Sequence, residues 1–266
     1  MGKKNAKMTL LNIALVGCIG VLGVTGTLIW KHYNQLGKSN DKVKELQATV
    51  TASSEPEESE EEKENFVPTK AFYQQMKEKY PDYIGWVQWD SGIVSEPVVQ
   101  GATNEEYLRA DMDGQYDIYG TVFMDAQDSL DDPNIVLYGH SIPGDYTSVV
   151  KFNQFQNMTS TKFADYHRTF KFYLEDRIDS YEVFSAFVYG AYNSNPYEYA
   201  QNTFVEEGAF KEWIRQSINH SLIGYRDIEA TTVNDKYMTF QTCADDDGNR
   251  KDIVIGIRTG SEAYPE

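Results

Sequence analysis

Cysteine is scarce in this chain, and basic residues are outnumbered by acidic ones. The 266 residues include two cysteines, Cys18 and Cys243, and Cys18 lies in an apolar N-terminal run. A disulfide framework or a cysteine-rich zinc site needs more cysteines than this, so the sequence excludes both. There are 24 lysines and arginines against 41 aspartates and glutamates, which gives a formal net charge of -17. With no extended basic cluster to contact phosphates, a nucleic-acid partner is not expected.

Long hydrophobic runs are also few, since the sequence contains one, Met8 to Trp30, which has no charged residue. Its length suits one membrane crossing, which needs about 20 residues. Lys3, Lys4 and Lys7 precede it, and this excess of positive charge favours a cytoplasmic N-terminus (1–7) and an exported remainder. The alternative is a cleaved signal peptide, but no small-x-small cleavage site follows the run. We therefore predict an uncleaved transmembrane anchor at 8–30 in the cell membrane, with a single pass and an extracellular domain.

The next segment, residues 31–65, is polar. Leu36, Val43, Leu46 and Val50 recur at roughly helical intervals and predict a short juxtamembrane helix. Thr51 to Asn65 is acidic and of low complexity, with seven glutamates. Because such a segment cannot bury a core and repels itself, it is interpreted as a solvated spacer.

The folded domain is expected over 66–266. Thr69 is placed to cap a helix that ends near Tyr80, before Pro81. A second helical pattern covers Asn202 to Ser221, with Trp213 among its apolar residues. Eight short segments with strand character are separated by turn formers: Ile84–Trp89, Ile93–Val99, Gly120–Met124, Asn134–Tyr138, Phe170–Leu174, Arg177–Tyr189, Tyr237–Thr242 and Asp252–Arg258. The predicted fold is mostly β with helices (α+β), a closed or nearly closed β-barrel with an N-terminal helix and a helical insertion before the strand that ends at Cys243.

Three residues form the candidate catalytic set. Cys243 ends one predicted strand, and Arg250 stands at the entrance of the next. Positive charge near a thiol lowers its pKa and favours the nucleophilic thiolate. His140 follows the strand NIVLYG in a loop, a better position for chemistry than that of the other three histidines. Cysteine–histidine catalysis requires the two side chains to be adjacent in space, although not in sequence.

Several motifs in this region resemble the sortase family. TFQTC at Thr239 to Cys243 is similar to the strand-end TLxTC signature of sortases, with Phe240 in place of Leu. NIVLYGH resembles the strand that carries their histidine, and Arg250 matches their arginine in order. DYIGWVQW, EPVVQGATNEEYL and DIYGTVFMD resemble the class B branch in particular, as does the helical insertion. The resemblance extends from Phe66 to Gly260.

The resemblance implies a membrane-anchored cysteine transpeptidase. Such an enzyme cleaves a sorting signal near the C-terminus of an exported protein through a thioester and joins the new carboxyl end to a peptidoglycan amine of the cell wall. Cys243, His140 and Arg250 are the implied catalytic residues, and Asn104, Leu108, Tyr138 and Thr242 the implied substrate-binding residues. The expected partners are exported proteins with a sorting signal, a peptidoglycan precursor or cell-wall amine, and the membrane. The alternatives are a hydrolytic cysteine endopeptidase and a non-catalytic exported binding domain.

One feature departs from the family pattern. The arginine usually leads directly into an apolar strand, whereas Lys251 and Asp252 follow Arg250 here. Arg258 is therefore the alternative catalytic arginine. The acidic stretches Asp128 to Asp132 and Asp245 to Asp247 are interpreted as solvated turns, with weak cation binding as the alternative. No metal site and no cofactor is expected.

Overall fold

The computed structural model describes most of the chain from Phe66 onward and part of the segment before it. The described residues are 21, 24–27, 29–31, 33–35, 37–48, 66–142, 144–190, 197–223, 232, 234–243 and 249–265, with Cys243 through its backbone only. Most of the predicted anchor at 8–30 and the whole acidic segment Thr51 to Asn65 lie outside this set. No helix among the described residues has both the length and the apolar character needed to cross a membrane.

From Phe66 onward the described residues form eight strands, three α-helices and one 3₁₀ helix. In chain order these are α1 (Lys70–Lys79), β1 (Tyr83–Trp89), β2 (Ser95–Val99), β3 (Val122–Met124), β4 (Asn134–Tyr138), the 3₁₀ helix (Asn153–Asn157), α2 (Thr161–Tyr166), β5 (Thr169–Tyr173), β6 (Ile178–Gly190), α3 (Glu207–His220), β7 (Tyr237–Cys243) and β8 (Arg250–Glu262). Each of the eight predicted strands is present. The 3₁₀ helix and α2 have no counterpart in the sequence prediction.

The strands close into a barrel in the order β1-β2-β3-β4-β7-β8-β6-β5, as predicted for the fold class. The barrel closes where Trp86 of β1 pairs with Tyr173 of β5. Most neighbouring strands are antiparallel, but β2 runs parallel to β3, and β4 runs parallel to β7. Parallel neighbours need a long crossover, and α3 lies within the one that links β4 and β7.

Helix α1 begins as the sequence predicts. The Thr69 hydroxyl accepts a hydrogen bond of 3.1 Å from the Phe72 amide, which satisfies one of the free N–H groups of the first turn. Phe72 and Met76, one turn apart, are buried against the barrel. Pro81 follows directly after the C-terminal cap, Tyr80.

Aromatic side chains fill the barrel interior. Trp89 stacks on Phe170 with ring centroids 4.3 Å apart, and Phe240 of β7 packs edge-on to Trp89 at 5.0 Å. Side chains alternate along a strand, so Met238 and Phe240 face the interior while Tyr237 packs outside, against α3. The TFQTC strand is therefore anchored on both faces.

Helix α3 covers the outer face of β6, β7 and β8. Its buried side chains include Phe210, Trp213 and Ile214, and Trp213 belongs to a hydrophobic core cluster. The helix starts at Glu207, five residues after the predicted Asn202, because the backbone is still extended at Glu206, where φ is -150°.

Residues 37–48 are helical and pack against the barrel. Val43 and Leu46, at the predicted helical interval, are buried in the same apolar cluster as Phe72 and Trp86. Gln47 donates a hydrogen bond of 3.2 Å to the Ser95 hydroxyl. This helix therefore contributes to the folded domain.

Candidate active site

The register between β4 and β7 brings His140 and Cys243 to the same edge of the barrel. Tyr138 pairs with Gln241, and the Gly139 amide donates to the Gln241 carbonyl at 3.2 Å. His140 and Cys243 each lie two residues beyond that pair. They follow or end two neighbouring strands, and such strands lie about 4.8 Å apart. Tyr138 and Gln241, as directly paired residues, lie on the same face of the sheet at this edge.

A cavity of about 430 Å³ opens on this face. It is lined by Asn104, Leu108, Arg109, Thr121, Phe123, Tyr138, Gly139, His140, Gln241, Thr242 and Lys251. The structure thus brings together His140 and all four residues that the sequence suggested for substrate binding. Arg109 and Lys251 are additional lining residues that the sequence analysis did not identify.

A backbone carbonyl orients the His140 ring. Its Nε2 lies 2.9 Å from the Leu108 oxygen. A carbonyl can only accept, so Nε2 carries the proton, which leaves Nδ1 as the atom that can exchange a proton in the neutral ring. Burial lowers the pKa of His140 below its usual value, and the positive charge of Arg109 lowers it further.

Buried polar contacts hold the segment that follows His140. The Phe152 amide donates to the His140 carbonyl at 3.1 Å, and Asn153 Oδ1 accepts from the Ile142 amide at 2.7 Å. Lys151 and Glu96 form a buried ion pair at 3.1 Å, and Glu96 also accepts from the Lys151 amide. Breaking such a pair leaves a buried charge uncompensated. The Glu96–Lys151 ion pair therefore resists displacement of the segment that follows His140. The sequence analysis missed it because these residues are far apart in the chain.

Asn104 and Tyr138 meet on one carboxylate. Their side chains donate to Asp125 Oδ2 at 2.9 and 2.8 Å, and Asn104 Oδ1 accepts from the Ala126 amide at 2.8 Å. Burial and the hydrogen bond to Asp125 raise the pKa of the Tyr138 hydroxyl, which therefore stays protonated near neutral pH. This network shapes the cavity wall.

The two candidate arginines lie at different places along β8. Arg250 is its first residue, is exposed, and pairs with Gly190 of β6. Arg258 pairs with Tyr181 and donates to Asp179 at 3.4 Å. Cys243 pairs with Lys251, and Arg258 lies seven positions further along the strand than Lys251, a distance of about 23 Å. Arg250 is therefore the closer arginine.

Among the described residues, no group of three or more histidine, cysteine, aspartate or glutamate side chains is arranged to hold an ion. The predicted turn Asp245 to Asp247 lies outside the described residues. At Asp128, the carboxylate accepts from the Val136 amide at 2.6 Å and from Asn202 at 2.9 Å, so it serves the fold.

The arrangement can support nucleophilic chemistry. A cysteine at the end of β7, an oriented imidazole on the adjacent strand and a cavity beside them supply a nucleophile, an acid–base group and room for a peptide.

Comparison with known proteins gives sequence and structural matches. Sortase B of Staphylococcus aureus is 26% identical over 176 residues, covering 65% of this chain and 68% of that protein. The X-ray structure of Clostridium perfringens sortase B has a TM-score of 0.62 at 25% identity, covering 70% of this chain and 99% of that one. The Staphylococcus aureus sortase B–substrate complex has a TM-score of 0.67 at 21% identity, covering 85% and 97%. No protein-family model matches the chain.

Proposed function

Because this chain is a homologue of sortase B, and therefore a sortase-type cysteine transpeptidase, we propose that it cleaves the C-terminal sorting signal of exported proteins and transfers the product to a cell-wall amine. One of the similar structures is a substrate complex of Staphylococcus aureus sortase B. By analogy, the cavity beside His140 is the proposed site for the sorting signal.

The observation that best supports this proposal is the β4–β7 register. The pairing of Tyr138 with Gln241 carries His140 and Cys243 to the same edge, beside the cavity. We propose these two residues as the catalytic pair, with Cys243 as nucleophile and His140 as general acid and base.

The first half-reaction forms the thioester. The Cys243 thiolate attacks the scissile carbonyl carbon, and the electron pair of the C=O bond moves to oxygen to give a tetrahedral oxyanion. The oxyanion collapses, the C–N bond breaks, and the His140 imidazolium transfers its proton to the departing amine. The products are an acyl-enzyme and the released C-terminal peptide.

The second half-reaction consumes the thioester. The acceptor amine attacks the carbonyl carbon while neutral His140 accepts its proton, and the C–S bond breaks to regenerate the thiolate. Because Leu108 holds Nε2, the proton enters and leaves at Nδ1. Water in place of the amine gives hydrolysis, so the cavity must favour the amine.

The remaining candidates take binding roles in this proposal. Arg250, which is exposed at the start of β8 and is not among the residues that line the cavity, holds the part of the peptide that extends beyond the cavity through its forked donors. Leu108 and Thr242 contact the sorting signal within the cavity, while Asn104 and Tyr138 maintain its wall through Asp125.

We also propose that the chain is attached to the cell membrane by residues 8–30, with 1–7 in the cytoplasm. Residues 31–65 are the proposed juxtamembrane segment and acidic linker, of which helical residues 37–48 pack on the proposed extracellular catalytic unit, 66–266. The support is the charge-free apolar run preceded by Lys3, Lys4 and Lys7. Protease treatment of intact protoplasts should remove the catalytic unit and leave an N-terminal fragment in the membrane. Full protection of the catalytic unit would contradict this topology.

The test of activity uses the purified full-length chain, a library of C-terminal sorting-signal peptides, and an added amine such as triglycine or a diamino-acid peptide. Mass spectrometry should detect an acyl-enzyme on Cys243 and a ligated product. Cys243→Ala should abolish both, while Cys18→Ala, the same substitution at the other cysteine, should retain them. Turnover in Cys243→Ala would reject the proposal, and cleavage without ligation would favour a hydrolytic endopeptidase.

A further inference from the structure

The residue paired with Cys243 across the β7–β8 ladder is Lys251. Directly opposed residues of an antiparallel pair project to the same face, with Cβ atoms about 4.5–5.5 Å apart. The backbone register therefore assigns Lys251 to the face of Cys243. Arg250, one residue earlier, belongs to the opposite face of β8 by strand alternation.

The Lys251 side chain reaches the cavity, where it lines the wall together with His140 and Thr242. Among the described residues, Lys251 has no hydrogen-bond acceptor and no ion-pair partner. Within this part of the chain, no carboxylate competes with a bound anion for the Lys251 ammonium group.

The other positive charges near this site act on different groups. Arg109 donates to the Ile118 carbonyl, and its charge acts on His140. The charge of Arg250 acts on Asp252, where it opposes the rise in the carboxyl pKa caused by burial. Lys251 is thus the cation that the β-ladder places opposite the nucleophile.

We propose that Lys251 is a catalytic residue whose ammonium group stabilises both the Cys243 thiolate and the tetrahedral oxyanion formed from the scissile carbonyl. This inference rests on the proposed function. Lys251 transfers no proton: it stabilises the anionic sulfur before attack and the anionic oxygen after it, while His140 performs the proton transfers. Arg250 keeps its separate role of holding the peptide.

The charged and titratable groups around Cys243 come from several elements. Lys251 and Arg250 lie on β8, Tyr138 and His140 on or directly after β4, and Arg109 on the segment between β2 and β3. Asp252 is paired with Thr242 and lies on the opposite face of β8 from Lys251. Among the described residues that line the cavity, Lys251 and Arg109 carry fixed positive charge and none carries a carboxylate.

The test compares the full-length wild-type chain with Lys251→Met, Lys251→Arg and Lys162→Met. Lys162 is an exposed lysine of α2 outside the cavity, so Lys162→Met controls for the loss of one charge. The first measurement is the rate of iodoacetamide alkylation against pH, resolved by mass spectrometry of the peptide that contains Cys243. The second is kcat/KM for acyl-enzyme formation with the best peptide from the library.

Lys251→Met should raise the midpoint of alkylation by about one pH unit, because an opposite charge at this distance favours the thiolate. It should lower kcat/KM about 100-fold, a typical loss for one oxyanion-stabilising donor. Lys251→Arg should restore most of the wild-type midpoint and kcat/KM, and Lys162→Met should behave like the wild type.

The inference is overturned if Lys251→Met stays within threefold of the wild type in kcat/KM with an unchanged midpoint, or if Lys251→Arg is as impaired as Lys251→Met. Failure of the wild type to form any acyl-enzyme would instead reject the proposed function, while the alkylation profiles would still decide whether Lys251 acts on the thiol.

Discussion

Thr242 of β7 and Asp252 of β8 face each other across the antiparallel ladder, and each buries a side-chain oxygen that has no hydrogen-bond partner among the described residues. Thr242 also lines the cavity. Leaving buried polar oxygens unpaired costs free energy, and such groups concentrate where function constrains the fold. This pair stands directly beside Cys243 and Lys251 in the same ladder.

Asp252→Asn should stabilise the protein at neutral pH. Burial raises the pKa of the Asp252 carboxyl to about 6, although Arg250 acts in the opposite direction. The folded state therefore binds a proton more tightly than the unfolded state, and stability is lost as the pH rises through the interval from about 4 to 6. Removing the ionisation should increase the free energy of unfolding by roughly 1–3 kcal/mol at pH 7.5, because one pKa unit corresponds to about 1.4 kcal/mol.

Urea unfolding over a pH series checks this expectation. The gain should shrink as the pH falls and disappear below about 4, where both states are protonated. Asp131→Asn, at an exposed aspartate, is the matched control and should change stability little. A destabilised Asp252→Asn at pH 7.5 would show that the ionised carboxylate is compensated.

Arg109→Met should raise the pKa of His140. The lowering of this pKa arises first from burial and then from the positive charge of Arg109, so removing that charge makes the imidazolium easier to form. The imidazole proton resonance, assigned with a His140→Gln variant, should titrate below the usual 6.5 in the wild type and about 0.5 pH unit higher in Arg109→Met.

The same titration has a consequence for stability. The unfolded histidine binds its proton more readily than folded His140, so this group favours folding above pH 6.5 and loses that contribution as the pH falls below it. For the His140 titration in Arg109→Met, the control variant is Arg215→Met. Arg215 is exposed on α3 and pairs with Glu212. Equal His140 titration curves in Arg109→Met and the wild type would contradict the assigned cause.

Gly139→Ala should damage both the fold and the activity. A Cβ atom at Gly139 would lie 2.6 Å from Cδ2 of Phe152, well inside van der Waals contact. Since Phe152 packs in the barrel interior and its amide holds the His140 carbonyl, the clash must displace one of the two. We expect a loss of about 1–3 kcal/mol in the free energy of unfolding, together with a reduced kcat/KM.

Gly208→Ala is the matched control for Gly139→Ala. A Cβ atom at Gly208, in the first turn of α3, meets nothing within 4 Å. The substitution should be neutral or stabilise by about 0.5 kcal/mol, because alanine loses less conformational entropy in a helix. Urea denaturation of the two variants gives the comparison, and a fully stable, fully active Gly139→Ala would show that the strand end moves freely.

The charge of the sorting signal should affect its cleavage. The cavity presents Arg109 and Lys251 within a chain whose net charge is -17, and no carboxylate lines it among the described residues. A peptide with glutamate next to the scissile bond should therefore have a kcat/KM about tenfold higher than the same peptide with lysine there. Raising the salt concentration to 0.5 M should reduce this ratio of kcat/KM values. Salt screens both the attraction of the glutamate peptide and the repulsion of the lysine peptide by the positive cavity.

The control for this comparison moves the same glutamate or lysine ten residues from the scissile bond, where the ratio should approach one. Faster cleavage of the lysine peptide at the near position would contradict a positively charged cavity.

The sequence by itself determined the local elements and the candidate chemistry. Short segments of strand character between turn formers predicted the eight strands, and Thr69 predicted the start of α1. The TFQTC and NIVLYGH motifs indicated Cys243 and His140 as the candidate catalytic pair. These features depend on residues close in the chain, where periodicity and capping act directly. The 3₁₀ helix and α2 were not predicted because elements this short are stabilised mainly by tertiary packing.

Only the tertiary structure decided which groups surround the site. The parallel β4–β7 pairing, the hydrogen bond from His140 to the Leu108 carbonyl, and the buried Glu96–Lys151 pair all join distant parts of the chain. The position of Lys251 opposite Cys243 depends on the register of β7 against β8, since a shift of one residue would exchange Lys251 for Arg250 or Asp252 on that face. Register is set by the packing of Val254 and Phe240 inside the barrel and of Ile253 and Ile255 against the α3 side, which no local pattern specifies.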